Sequence, residues 1–204
     1  MDRLYCLNIF ICSLLLLVGC TPKKLTIEKL NKYIGDESNG LIQKQLVGDF
    51  NFTLTYKPRD LMIWQDLNGV RIKDDSTISK IAEKYKDYDY YTLNISIDGN
   101  DILNHGSASM EMFSQNLQKL SFRMAEYTYA ITEKKDTIQL ADFYFPRLYG
   151  MGGSTQILLA YNKVKNTGEY IDVHLNDIGI GTGRQIFRFK NEDINRIPSL
   201  DFLF

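Results

Sequence analysis

The sequence predicts an α+β domain, mainly antiparallel β-sheet folded into a β-sandwich, with about three short helices in its N-terminal half. Three observations carry that expectation. Apolar residues recur at three- and four-residue spacing only before residue 122. Beyond it, apolar and polar residues alternate almost continuously. The links between alternating stretches, such as 133–136 and 163–168, are too short for the crossover helices of a parallel sheet.

Each element has its own signal. Thr26 can cap a first helix, with Ile27, Leu30, Tyr33 and Ile34 on one face and Lys29 and Lys32 opposite. Asp36-Glu37-Ser38-Asn39-Gly40 ends it with turn chemistry. Phe50, Phe52, Leu54 and Tyr56 then alternate with Asn51, Thr53 and Thr55, a half-buried strand closed by Pro58. Asp75-Ser76 opens a second helix carrying Ile78, Ile81, Ala82 and Tyr85. Tyr91, Leu93, Ile95 and Ile97 line one face of a strand that ends in an Asp98-Gly99 turn. Ser109 caps a third helix with Met110, Phe113, Leu117 and Leu120 on one side. Further strands are expected at 122–132, 137–145, 155–161, 170–175 and 184–190.

The first nineteen residues read as an address. The apolar run 4–18 reaches roughly 22 Å as a helix, short of the ~30 Å hydrocarbon core of a bilayer. It has no polar stripe at helical spacing, so a core helix is not indicated. Leu17-Val18-Gly19-Cys20 looks like a bacterial lipobox, with small residues admitting a peptidase that cuts between Gly19 and Cys20. Cys20 then supplies the sulfur that takes the lipid, and two acyl chains would contribute on the order of 20 kcal/mol of membrane affinity. The organisation expected is a removed signal at 1–19, a lipidated anchor and tether at 20–25, and one globular domain at 26–204.

The three cysteines are Cys6, Cys12 and Cys20, so the chain after the anchor has no thiol for a disulfide, thiolate metal site or thiol catalysis. A formal charge of −1 gives no general basic face for nucleic acid. Aromatics make up 12 % of the chain, enough to build a substantial core without disulfides.

Asn39-Gly40-Leu41, Tyr56-Lys57-Pro58, Asp136-Thr137 and 181–183, in that order, resemble a family of Bacteroidota (Bacteroidetes) lipoproteins of unassigned function. The resemblance spans 25–204 and implies an envelope location without implying an activity. In that phylum acidic residues after the lipidated cysteine direct export to the cell surface; Thr21-Pro22-Lys23-Lys24 is basic, so an outer-membrane position facing the periplasm is expected. Asp75-Ser76-Thr77 and Asp136-Thr137-Ile138 resemble the phylum's O-glycosylation acceptor, which makes Ser76 and Thr137 candidate sites. A helix N-cap at Ser76 and a strand start at Thr137 explain both equally well.

No stretch carries a catalytic signature. Gly179, Gly181 and Gly183 are followed by Arg184-Gln185, not by the Lys-Ser/Thr of a Walker loop, and by a strand where a dinucleotide fingerprint needs a helix. A bulged turn with positive φ is the simpler reading. Ser154 lies in the loop 148–156 with Gly153 before it, but Thr155 follows where a nucleophile elbow needs a second glycine and then a helix, leaving the loop as a lid or binding rim. His105 and His174 are isolated, with no zinc spacing; His174, beside Asp172, reads as part of a solvated sheet face. Asp98-Gly99-Asn100-Asp101 lacks EF-hand spacing and reads as a tight turn. The tyrosines at 85, 88, 90 and 91 read as core packing, with stacking of sugar rings or peptides as the alternative. No cofactor and no metal are expected. The leading expectation is a non-catalytic envelope module that binds a partner protein or a cell-wall component. The alternatives are a binding protein for a small hydrophobic or sugar-like molecule and, last, a carboxylate-based hydrolase.

Overall fold

The computed structural model of the chain describes residues 24–70, 74–103, 110–146, 152–165 and 167–202. The elements are α1 Ile27–Gly35, β1 Ile42–Val47, β2 Phe50–Lys57, α2 Arg59–Asp66, α3 Asp75–Tyr85, β3 Tyr88–Ile97 and β4 Asn100–Asp101. They continue with α4 Met110–Phe122, β5 Thr128–Thr132, β6 Thr137–Tyr144, β7 Thr155–Asn162, β8 Tyr170–Leu175, β9 Gln185–Lys190 and α5 Asn191–Asn195. No described helix is long and apolar enough to cross a membrane.

All strands join one antiparallel sheet in the order β1-β2-β3-β7-β6-β5-β8-β9, with β4 paired to β3. The sheet curls until its two edges, β1 and β9, lie side by side. The Gln45 side chain crosses that seam and donates to the Ile186 carbonyl. The β-sandwich expectation is therefore wrong: this is a nearly closed barrel. Sandwich and barrel impose the same inside–outside alternation on every strand, and they differ only in whether the edges meet.

The helix count is also corrected, from about three to five among the described residues. Pro58, read as a strand terminator, also starts α2, whose Leu61, Met62 and Ile63 are buried. The strand expected at 122–132 begins only at Thr128. α4 runs to Phe122 and a 3-10 turn, Met124–Glu126, follows, because buried Leu120 and Met124 continue the helical spacing. β1 escaped notice because its polarity is inverted. Gln45 pairs across from the interior residue Phe52, so it faces inward, while Leu46 is 70 % exposed.

The interior is filled by side chains from all walls, among them Phe52, Leu54, Leu93, Ile157 and Phe187, each at most 1 % exposed. Tyr91 stands at its centre. Its ring lies 5.3 Å from Tyr56, 5.8 Å from Tyr161 and 5.1 Å from Phe189 across the barrel. Met62, Tyr90 and Ala160 form a second cluster on the outer face, with Tyr85, Tyr88 and Leu158 packed around it. β3 is thus buried on both sides through its middle. The β3–β4 turn uses Asp98 at φ 48° and Gly99 at φ 73°, the doubly positive geometry of a I′ hairpin. Leu25 forms an isolated parallel bridge with Leu200: its N–H donates to the Ser199 carbonyl at 2.8 Å, and Asp201 N–H donates to the Leu25 carbonyl at 2.9 Å.

Two interior hydroxyls have opposite fates. Thr128 Oγ1 donates to the His174 carbonyl at 2.8 Å, so Tyr161 must be the donor in its own bond to Thr128 Oγ1. The Tyr91 hydroxyl is buried with no partner among the described residues. Tyr91→Phe should therefore leave stability unchanged or raise it by about 1 kcal/mol, whereas Tyr161→Phe should lower it by about as much or more. Urea unfolding of the two variants, read at equal m-values, checks the contrast.

Candidate functional site

Asp89 is an acid set in the inward, largely apolar phase of its strand. It shares the inward phase of β3 with Tyr91, Leu93 and Ile95, and it pairs across to Tyr161 at one mouth of the barrel. Its side chain is only 15 % exposed. Tyr56 Oη donates to Asp89 Oδ1 at 3.1 Å, and Lys163 Nζ stands 4.0 Å from the same oxygen. Burial pushes the Asp89 carboxyl above its ordinary range, and the charge of Lys163 and the Tyr56 hydrogen bond only partly offset it. Burial, and then the Asp89 charge, pushes the Tyr56 phenol far above its usual value, so it stays a donor.

Asp89 borders a cavity of about 310 Å³. Val164, Ile171 and Ile194 form apolar patches on its wall, and Lys163, Asn191 and Asn195 supply polar groups. Gly168, Asn191 and Asn195 also border a larger cleft of about 690 Å³, which runs over the rim to Tyr170, Arg188 and Lys190. Space therefore continues from the barrel mouth onto the outer face of β8 and β9.

The rim is held in place. Asn191 Nδ2 donates to Thr167 Oγ1 at 2.7 Å and to the Gly168 carbonyl at 2.6 Å, while its backbone N–H donates to the Glu169 carbonyl at 2.8 Å. Glu133 accepts the Glu169 N–H at 2.8 Å. Arg188 donates twice to Asp172, at 2.8 and 2.7 Å, and its guanidinium carbon lies 3.7 Å from the Tyr170 ring centroid. A fork held at both nitrogens and seated on a ring presents a fixed flat surface to the cleft.

The residues singled out in the sequence lie elsewhere. Gly19, Cys20, His105 and positions 148–151 of the 148–156 loop fall outside the described residues. Ser76 is exposed but is not the N-cap of α3. Asp74 is, accepting from Ser76 N–H at 3.0 Å and from Ser76 Oγ at 2.8 Å. Thr137 is exposed at the start of β6. Ser154 sits in a bend leading straight into β7, with no helix after it. His174 is not solvated: it is 8 % exposed, stacked on Tyr129 at 5.0 Å and 12°, and burial lowers its pKa. Of the tyrosines, 85, 88 and 90 pack on the outer face and Tyr91 in the interior.

The glycine-rich loop does form an anion cradle, and the chain fills it itself. The Asp177 carboxylate accepts from Gly179, Ile180, Gly181 and Gly183 N–H at 2.8 to 3.2 Å, with the three glycines at φ 95°, 78° and 69°. Burial raises its pKa, but the four hydrogen bonds, led by Gly183, outweigh it and the net shift is downward.

Asp89 and its cleft went unnoticed in the sequence although a signal was present. In Asp89-Tyr90-Tyr91-Thr92-Leu93 the acid occupies the apolar phase of the strand. Lys163 follows β7, Arg188 lies on β9 and Asn191 opens α5 just after it, and no recognised motif joins them.

No family model matches the sequence, and no curated protein matches it. Solved structures similar to it include the following two. One is a novel protein of unknown function from Burkholderia pseudomallei, 10 % identical with a TM-score of 0.39, covering 85 % of this chain and 94 % of that one. The other is a DUF4426 family protein from Pseudomonas aeruginosa, 11 % identical with a TM-score of 0.35, covering 74 % of this chain and 93 % of that one.

Two titrations follow. An acid with a raised folded pKa costs nothing below its unfolded value of about 3.9; the cost grows as pH rises from there and is complete above the folded value. Asp89→Asn should therefore melt higher than wild type at pH 7, by roughly 2–4 °C per kcal/mol recovered, and the two curves should converge below about pH 4. Asp177 runs the other way: its contribution is complete above about pH 4 and is lost as pH falls through its lowered folded value. Asp177→Ala should cost about 1–2 kcal/mol at pH 7, less at pH 3, by calorimetry across that range.

Proposed function

We propose that this chain is an envelope lipoprotein of the Bacteroidota group it resembles, anchored by lipid on Cys20 in the outer membrane and facing the periplasm. It acts there as a non-catalytic binding module, and the cleft over Asp89 is its binding surface. One observation carries the binding half of this reading: the barrel interior is filled by rings, while pinned polar groups surround open space at its mouth. Placing fixed donors and acceptors around a concavity is how binding sites obtain specificity. A charge kept partly buried at a cost to the fold points the same way. The anchor half rests on Leu17-Val18-Gly19-Cys20.

Labelled palmitate fed to cells expressing the full chain should enter the wild type, and Cys20→Ser should stay unlabelled and leave the membrane fraction. Equal labelling of the two, or none in the wild type, overturns the anchor. Lys163→Glu combined with Arg188→Glu should abolish co-purification of whatever the solubilised protein retains from the envelope.

A further inference from the structure

We propose that the mouth cavity and its continuation form a glycan-binding site in which Asp89 accepts hydroxyls of one sugar ring and the Arg188–Tyr170 platform supports the next units of the chain. This deepens the cleft reading above and rests on it.

Four features select this ligand class. First, the charges along the cleft balance: Asp89, Glu169 and Glu192 face Lys163, Arg188 and Lys190. A polyanion or a polycation would meet as much repulsion as attraction there, while a neutral polar chain meets donors and acceptors alike. Second, the apolar patches are small and interrupted. Val164, Ile171 and Ile194 are bounded by Asn191, Asn195 and Thr167, which suits a ring with C–H faces and hydroxyl edges and offers no continuous wall to an acyl chain. Third, a cavity of about 310 Å³ admits a unit of single-ring size, and the adjoining cleft gives a path for a chain of them. Fourth, Asp89 is under-satisfied. Tyr56 is its one hydrogen-bond donor among the described residues, and Lys163 at 4.0 Å is beyond hydrogen-bond length. A pair of neighbouring hydroxyls would supply the missing donors. The side chains they would meet are already held by Tyr56, Thr167 and Asp172, so little ordering remains to oppose binding.

The test uses the full-length protein in a phosphocholine detergent, because a sugar detergent would compete. Calorimetric titration with the β-1,4-linked N-acetylglucosamine tetramer, cellotetraose and maltotetraose should give saturable one-to-one binding for at least one of them. Asp89→Asn should weaken it about tenfold or more, the loss expected when hydrogen bonds to a charged acceptor become neutral ones. This variant is expected to be the more stable fold, so its loss of binding cannot be ascribed to unfolding. Arg188→Ala should weaken the tetramer more than the corresponding monosaccharide, and Lys44→Ala, outside the cleft, should change nothing. Sedimentation with purified peptidoglycan sacculi separates the sources: retention on sacculi identifies wall glycan, and tetramer binding without retention identifies a free or lipid-borne saccharide. Absence of binding to every saccharide at about 10 mM and to sacculi overturns the proposal. So does saccharide binding that Asp89→Asn leaves intact, or saturable binding of spermidine alone, which would make Asp89 a cation site. Continued envelope co-purification alongside any of these results leaves the broader binding reading standing and removes only the glycan.

Discussion

The fold depends on contact between walls that share no hydrogen bond. β3 and β9 are far apart along the sheet, yet Tyr91 and Phe189 meet ring to ring in the interior. Each well-placed aromatic pair contributes about 0.5–1.5 kcal/mol beyond its buried area, and Tyr91 makes three such contacts. With no cysteine after position 20, no disulfide can substitute for them. The seam itself is thin, closed in part by a side chain, Gln45, reaching a backbone carbonyl. The curl of the sheet is thus set from inside, by what the walls must cover, more than by pairing at its edges.

That arrangement also explains where a site can be. A filled interior leaves concave space at the mouth and on the outer face, where Thr92, Gln156 and Leu158 border a further hollow, and at this mouth the strands β3, β7, β8 and β9 deliver side chains of unlike chemistry to one rim. Asp89 lies where the apolar packing stops but solvent is still scarce. Tyr56 belongs to both regions, touching Tyr91 with its ring and Asp89 with its hydroxyl, so core and mouth are mechanically continuous. The cradle around Asp177 shows the opposite solution, an acid matched by four amides and left with little to offer a ligand.

Local pattern was readable wherever one face of an element is buried and the other is wet. Phe52, Leu54 and Tyr56 announced β2, and 170–175 was placed to the residue. The pattern failed where burial is unusual. Leu46 faces solvent and Gln45 the interior, so β1 resembled a loop. α2 hides behind Pro58, whose two roles cannot be told apart in one dimension. Whether β1 meets β9 is a property of accumulated twist, to which no single residue testifies. The cleft has no local signature for a similar reason: Asp89 is far in sequence from the two stretches, 163–171 and 188–195, that complete its lining, and neither stretch carries a binding motif.

The bridge between Leu25 and Leu200 sets a mooring geometry. If the chain hangs from a lipid on Cys20, only the four residues 21–24 separate it from a backbone already zipped to the C-terminal segment, a reach of at most about 18 Å. Asn195, on the cleft rim, is separated from Leu200 by the same number of residues. Under the proposed anchor the opening would lie within roughly 40 Å of the leaflet. Under that anchor a ligand would be met beside the leaflet and not deep in the compartment.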